Sequence, residues 1–207
     1  MQEINALFAI AVLILSVIVH EVSHGYAALA MGDETARRAG RLTLNPLKHL
    51  DPIGSVALPI LFSLISPRFI FGWARPVPYN ENNLRNKKWG TILVSAAGVI
   101  ANLAIALFFA LFIRIGVAAN FITQPLFFIT ATIVSVNLAL FVFNLLPFPP
   151  LDGSRILFAV LPVRFGRFER ILEQYGIFVI FALVVAFPSY FSRLLSFLFS
   201  LFVGSHL

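Results

Sequence analysis

The chain has 207 residues, of which 59% are hydrophobic, 23 are Phe and only 12% are charged, against a charged share of about 25% in soluble domains. This composition excludes an ordinary water-soluble fold and makes the bilayer the solvent for most of the chain. The formal charge of +6 is scattered through polar loops, which argues against nucleic-acid binding and for anchoring on an anionic membrane surface, and the lack of Cys removes disulfides, thiolate metal sites and a cysteine nucleophile.

The first apolar run, residues 4–31, is long enough to span with tilt at about 1.5 Å per residue. It has no basic leader and no small-residue cleavage site after it, so it is expected to be retained. A loop with Arg37, Arg38, Arg41 and Lys48 follows, then a short apolar piece, residues 53–65, interrupted by Pro59. That piece cannot cross about 30 Å as a helix. Another basic loop comes next, with Arg68, Arg75, Arg85, Lys87 and Lys88. Basic loops stay cytoplasmic, so the piece between them should dip in and return as a re-entrant element or short hairpin. Irregular backbone at that depth is tolerated only against protein or a water-filled cavity.

Residues 91–117 and 125–146 read as two further spans joined by a short uncharged exterior loop. The stretch Asn144-Leu145-Leu146-Pro147-Phe148-Pro149-Pro150 cannot be regular helix, because proline removes donors and clashes with preceding carbonyls. Helix should resume over 151–161. An interfacial segment with Arg164, Arg167, Arg170, Glu169 and Glu173 covers 163–176. The last hydrophobic region, 177–203, is cut by Pro188 and is either one kinked span or a hairpin. The expected fold class is an all-α polytopic membrane protein of about four to six transmembrane segments, with the re-entrant or hairpin element and a proline-broken helix. It is organised as a single integral-membrane domain over residues 1–207, with its core at 4–161.

The chemistry starts in the first span, at His20-Glu21-Val22-Ser23-His24. Two imidazoles and a carboxylate are expensive at that depth, where hydrocarbon offers no water for charge or hydrogen bond. On a helix His20 and His24 project from one face, with Glu21 about 100° around. This is the zincin spacing: two imidazoles on an ion and a carboxylate as general base toward water. A catalytic zinc takes three protein ligands and keeps one open position. His49 lies in a basic loop, His206 beside the C-terminus, and most acids in polar or terminal segments, which leaves Asp51 and Asp152. Asp152 is the better candidate. It has apolar neighbours, whereas Asp51 is close to Lys48. Counting rise from the cytoplasmic helix ends also puts His20 about 16 Å and Asp152 about 14 Å deep, level with each other. The alternative role for Asp152 is a helix N-cap.

Two further amides lie at depth. Asn102 falls on a stripe with Thr91, Ser95, Gly98 and Ala106, a small-residue face by which membrane helices approach. Asn144 is in register with Asn137 and Thr130 at intervals of seven. Asn102 and Asn144 are candidates to hold a substrate strand or an oxyanion; for Asn137 interhelical hydrogen bonding is the better reading.

These motifs together, His20-Glu21-Val22-Ser23-His24 and Asn144-Leu145-Leu146-Pro147 leading to Leu151-Asp152-Gly153, resemble the site-2 protease family of intramembrane zinc metalloproteases. The resemblance extends through Asn45-Pro46 with His49, Asp51-Pro52 and Gly54, through Phe71-Gly72-Trp73-Ala74 with Pro76-Val77-Pro78, and through Gly98 to Asn102. It is similar to the small group without an inserted PDZ domain. The resemblance implies one Zn²⁺ per chain on His20, His24 and Asp152, and Glu21 as the residue that activates water. It also implies a site opening toward the cytoplasm of a prokaryotic cell, and transmembrane proteins in the surrounding lipid bilayer as substrates. The expected function is a zinc-dependent endopeptidase that cuts within or near transmembrane segments, as in regulated intramembrane proteolysis. Helix-breaking residues would unwind the substrate, and the Pro59 segment would offer it an edge. The competing class is a membrane metal-ion or proton transport protein using the same His, Glu and Asp cluster. A diiron lipid-modifying enzyme ranks last for want of histidines.

Overall fold

A computed structural model describes residues 2–51, 75–162 and 165–204. Among them there are helices and turns but no strand. The expected re-entrant piece at 53–65, with its Pro59 edge, lies outside the described residues.

Helix α1 runs Gln2–Ala30. Its run of Ala, Ile, Leu and Val sustains the helix, and Gly32 stops it. Gly32 takes φ 104°, its N–H bonds to Leu29 O, and the N–H of Asp33 bonds to Ala28 O. That pair of bonds closes a Schellman motif, which needs a residue at ease with positive φ. A short helix α2, Thr35–Arg38, follows, with a 3₁₀ turn at Pro46–Lys48 and another at Glu81–Asn83. Helix α3, Lys87–Ala118, and helix α4, Gln124–Leu145, are the two further spans expected. With α1 they are the three described helices long and apolar enough to cross a membrane.

Helix α3 is the hub, packed against α1, α4 and the later helices α5 and α7 described below. Thr91, Ser95, Gly98, Asn102 and Ala106 are all buried, so the small-residue stripe is the face through which α3 meets its neighbours. Outward positions such as Ile14, Ile100, Phe108 and Leu111 are large, apolar and exposed, as lipid contact requires. Helix α5, Asp152–Val160, resumes after the prolines and lies against α3.

The C-terminal region departs from the expected boundaries. Helix α6, Gly166–Ala186, joins most of the basic interfacial segment to the first half of the apolar region in one helix. Polarity changes near residue 176, but nothing there breaks the backbone; the break comes at Phe187, before Pro188. Helix α7 is Pro188–Val203, bent 81° from α6. Arg114 on α3 donates to Val203 O at 3.2 Å and to Leu201 O at 2.7 Å. The end of α7 therefore sits near the Ala118 end of α3. Glu169 and Glu173 on α6 line a cavity with Lys87 and Lys88 at the other end of α3. The pair thus starts near the Lys87 end of α3 and finishes near its Ala118 end, bent as a broken span or a re-entrant loop is.

Asp33 ties the polar end together. Its carboxylate, with the residue fully buried, accepts from Thr35 N and Oγ1 at 3.1 and 2.5 Å, from Asn80 N at 2.7 Å and from Asn83 Nδ2 at 2.9 Å. Burial alone would raise this carboxyl, but hydrogen bonds from Thr35, Asn83 and Asn80 outweigh it and hold it below its ordinary value. A folded value below the unfolded one adds stability that is complete above about pH 3.9 and lost as pH falls through the folded value. Asp33→Asn leaves donors facing donors. It should cost about 1–3 kcal/mol at neutral pH and flatten the loss of stability on acidification, both read from thermal unfolding in detergent.

Candidate metal centre

Ser16, His20 and His24 recur every fourth residue on α1 and so share one face; all three are buried. Each meets a partner from another helix. Asn137 on α4 donates Nδ2 to Ser16 Oγ at 2.9 Å, the interhelical bond expected of it, and such bonds contribute about 0.6 kcal/mol on average. The Asn102 amide on α3 stands 3.1 Å from His20 Nδ1. His24 Nδ1 donates to the carbonyl oxygen of Val94 at 2.6 Å.

The other ring nitrogens converge. His20 Nε2 and His24 Nε2 are 3.0 Å apart, and Asp152 Oδ2 lies 3.0 Å from the first and 3.3 Å from the second. This is the group of three His, Asp or Glu among the described residues able to share an ion; Asp51 is not part of it. A tetrahedral ion with bonds of about 2.0–2.2 Å sets its ligand atoms roughly 3.3–3.6 Å apart, so the triangle needs to open by only a few tenths of an ångström to hold one. Asp152 Oδ2 is also buried with no hydrogen-bond partner. A carboxylate oxygen this close to two ring nitrogens is matched by a proton or a cation between them. Asp152 opens α5 behind an N-cap at Leu151, with no side-chain cap hydrogen bond, so capping does not explain it. The proline turn before it, closed by Leu151 N–H on Phe148 O at 3.0 Å, returns the chain so that α5 starts beside the two imidazoles.

The partners on α3 decide which ring nitrogen is free. A carbonyl oxygen only accepts, so His24 carries its proton on Nδ1 and turns the Nε2 lone pair toward the triangle. At His20, Asn102 Nδ2 faces the ring while Asn102 Oδ1 is buried without a partner. Turning the amide over lets Oδ1 accept from His20 Nδ1–H, satisfies the orphan and frees Nε2 as in His24. Gly98 lies one turn from both Val94 and Asn102. A Cβ there would stand 2.6 Å from His20 Cε1, His24 Cε1 and His24 Nε2, so the rings occupy the space that a side chain would fill.

A cavity of about 1190 Å³ opens over the triangle. Ligand cavities usually measure about 300–1,000 Å³, so this one has room for an extended peptide. His20, Glu21, His24 and Asp152 line it, with Pro76 to Tyr79 along one wall and Asn144, Pro149 and Pro150 along another. Glu21 Oε2 accepts from the N–H of Val77 at 2.8 Å. Arg155 Nη1 donates to Tyr79 Oη at 2.7 Å, joining α5 to the Val77 wall. Asn144 Nδ2 donates to Leu140 O at 3.0 Å, which leaves its oxygen for other partners. Asn102, expected from the sequence to touch substrate, is instead fully buried against His20 and does not line the cavity. His49 is buried and donates Nε2 to Thr43 O at 2.8 Å, a loop-shaping contact away from the triangle.

Sequence reasoning did not foresee the carbonyl of Val94 or the N–H of Val77. Both are backbone groups, and a side-chain pattern carries no direct signal for them; the proline on each side of Val77 was the available hint.

The description "Peptidase family M50" matches residues 111–187, a stretch that holds Asn144 and Asp152. "Putative zinc metalloprotease YwhC" of Bacillus subtilis is 38% identical over 187 residues, covering 87% of this chain and 81% of that protein. "Putative zinc metalloprotease Rip2" of Mycolicibacterium smegmatis is 29% identical over 183 residues, 86% of this chain and 67% of that protein. Its namesake in Mycobacterium tuberculosis is 30% identical over 144 residues, 68% of this chain and 52% of that protein. No solved structure gives a significant match.

Proposed function

The chain belongs to peptidase family M50, and from that premise we propose how it works as a zinc-dependent intramembrane endopeptidase. His20, His24 and Asp152 hold the ion, and Glu21 is the general base. The observation that carries this reading is the triangle of Nε2, Nε2 and Oδ2, with edges of 3.0, 3.0 and 3.3 Å, on residues that line the large cavity.

When bound, zinc supplies Lewis-acid chemistry: it makes water acidic and polarises a peptide carbonyl. The chain supplies the rest. Val94 O and Asn102 hold the imidazoles with Nε2 lone pairs inward, so Asn102 acts through His20 rather than on substrate. Glu21 takes the proton from water and passes it to the leaving amine. Asn144, on the cavity wall, offers its amide to the substrate backbone or to a developing oxyanion. The walls of Pro76 to Tyr79 and Pro149 to Pro150 leave space for an unwound substrate segment.

The cavity's charged end carries the loops with Arg37, Arg38, Arg41, Lys48, Arg85, Lys87 and Lys88, whereas residues 118–124 at the other end carry no charge. That asymmetry supports a mouth on the cytoplasmic side of a prokaryotic cell membrane. Substrates are accordingly membrane proteins cut near their cytoplasmic third. The transport alternative is not favoured, because the three ionisable groups collapse onto one point instead of marking a route.

The test is zinc content beside cleavage of a transmembrane reporter by purified protein. Wild type should hold one zinc per chain and cleave. Asp152→Ala should lose both, its zinc affinity falling at least about 100-fold with a ligand gone, while Asp51→Ala should keep the metal. Wild-type zinc in Asp152→Ala would overturn the ligand set, and a zinc-loaded wild type that cleaves no reporter would overturn the activity.

A further inference from the structure

Residues 75–80 run beside α1 without regular secondary structure, and their backbone donors are held at three points. Arg75 N–H bonds to His49 O at 2.8 Å and Asn80 N–H to Asp33 Oδ2 at 2.7 Å, with Val77 N–H on Glu21 Oε2 at 2.8 Å between them. Pro76 and Pro78 have no N–H, so Val77 holds the sole donor of that tripeptide. The prolines fix their own φ, and Pro78 keeps Val77 out of the helical region. The donor is therefore presented on stiff backbone. Val77 is 5% exposed and sits against α1, where a Cβ on Gly25 would come within 2.8 Å of its Cγ1.

We propose that Pro76-Val77-Pro78 is a positioning element for Glu21, its one N–H fixing one carboxylate oxygen so that the other is presented to the cavity. This deepens the reading of Glu21 as general base and rests on it. A glutamate has three rotatable bonds, and an unrestrained one at the edge of a large cavity would spend much of its time off the reacting geometry. A charge-assisted hydrogen bond from a rigid donor removes that freedom. His49 and Asp33 anchor the two ends of the segment, so the donor's position is set by the loops at the polar end of the bundle. A purely structural contact would show itself in stability. A positioning contact shows itself in kcat, with KM, zinc content and melting temperature kept.

Two measurements on the full-length protein in detergent test this. The first is amide hydrogen exchange of the peptide spanning residues 76–79, with and without zinc. The Val77 amide should exchange slowly in wild type and in Glu21→Gln, whose carbonyl can still accept, and fast in Glu21→Ala. Unchanged protection in Glu21→Ala overturns the proposal whatever the enzyme's activity. The second is turnover of a transmembrane reporter. Val77→Pro, which removes the donor, should lower kcat about 10- to 100-fold at unaltered KM and one zinc per chain. Val77→Ala, which keeps the N–H, should restore kcat to within about threefold of wild type. Full kcat in Val77→Pro overturns positioning while the peptidase reading stands. If wild type cleaves no reporter, the peptidase reading falls and the exchange measurement still decides whether the contact exists. If Val77→Pro does not fold, the exchange measurement alone decides.

Discussion

Glu21→Gln should retain one zinc per chain and the wild-type melting temperature, yet lose about 10²- to 10⁴-fold in turnover of a transmembrane reporter, the range expected when a general base is removed. The substitution keeps the shape of the side chain and its ability to accept from Val77 N–H, whose contact with Oε2 is 2.8 Å, so folding has little to lose. What disappears is the basic oxygen that takes a proton from water. The metal triangle does not include Glu21, and zinc therefore stays. Measuring metal content and cleavage on the same preparation separates this from loss of ligation. Activity persisting within tenfold of wild type would mean that another group, or bulk hydroxide, does the work assigned to Glu21.

Gly98→Ala is the second large effect, and it falls on a residue with no functional group. The added methyl carbon would meet three imidazole atoms at 2.6 Å. Neither ring can retreat without giving up Val94 O or Asn102. Helix propensity runs the other way, since Ala is about 0.8–1.0 kcal/mol better than Gly inside a helix, and this offsets part of an overpacking cost of about 1–3 kcal/mol. The expected outcome is a protein that remains helical and folded while its zinc affinity falls at least about 100-fold, with cleavage lost alongside. Metal titration followed by circular dichroism checks both halves. Wild-type zinc affinity in this variant would show that the rings have slack and that the glycine cradle does not hold them.

Much of this arrangement is legible in the sequence. The three long spans follow from unbroken apolar runs, and the small-residue stripe on α3 from Thr91, Ser95, Gly98, Asn102 and Ala106 at helical spacing. Helical rise alone put His20 and Asp152 at one depth, and their side chains stand 3.0 Å apart. At the C-terminus the change from charged to apolar residues near Gly176 suggests a boundary, but backbone continuity depends on proline, and the break comes before Pro188. Asn102 was assigned to substrate because a polar residue at membrane depth suggests function. Polarity alone cannot tell a group facing a cavity from one turned to the back of a ligand.

The placement of the helix ends bears on control. Phe8, early in α1, meets Phe128 near the start of α4 in a tilted ring contact, and α7 finishes on Arg114, so these contacts all lie at the end of the bundle opposite the charged mouth. Anything approaching from the side of residues 118–124 has the length of α3, Lys87–Ala118, between it and the hydrolytic chamber. From there it acts through the helices, along α1 or the α6–α7 elbow, and not at the mouth.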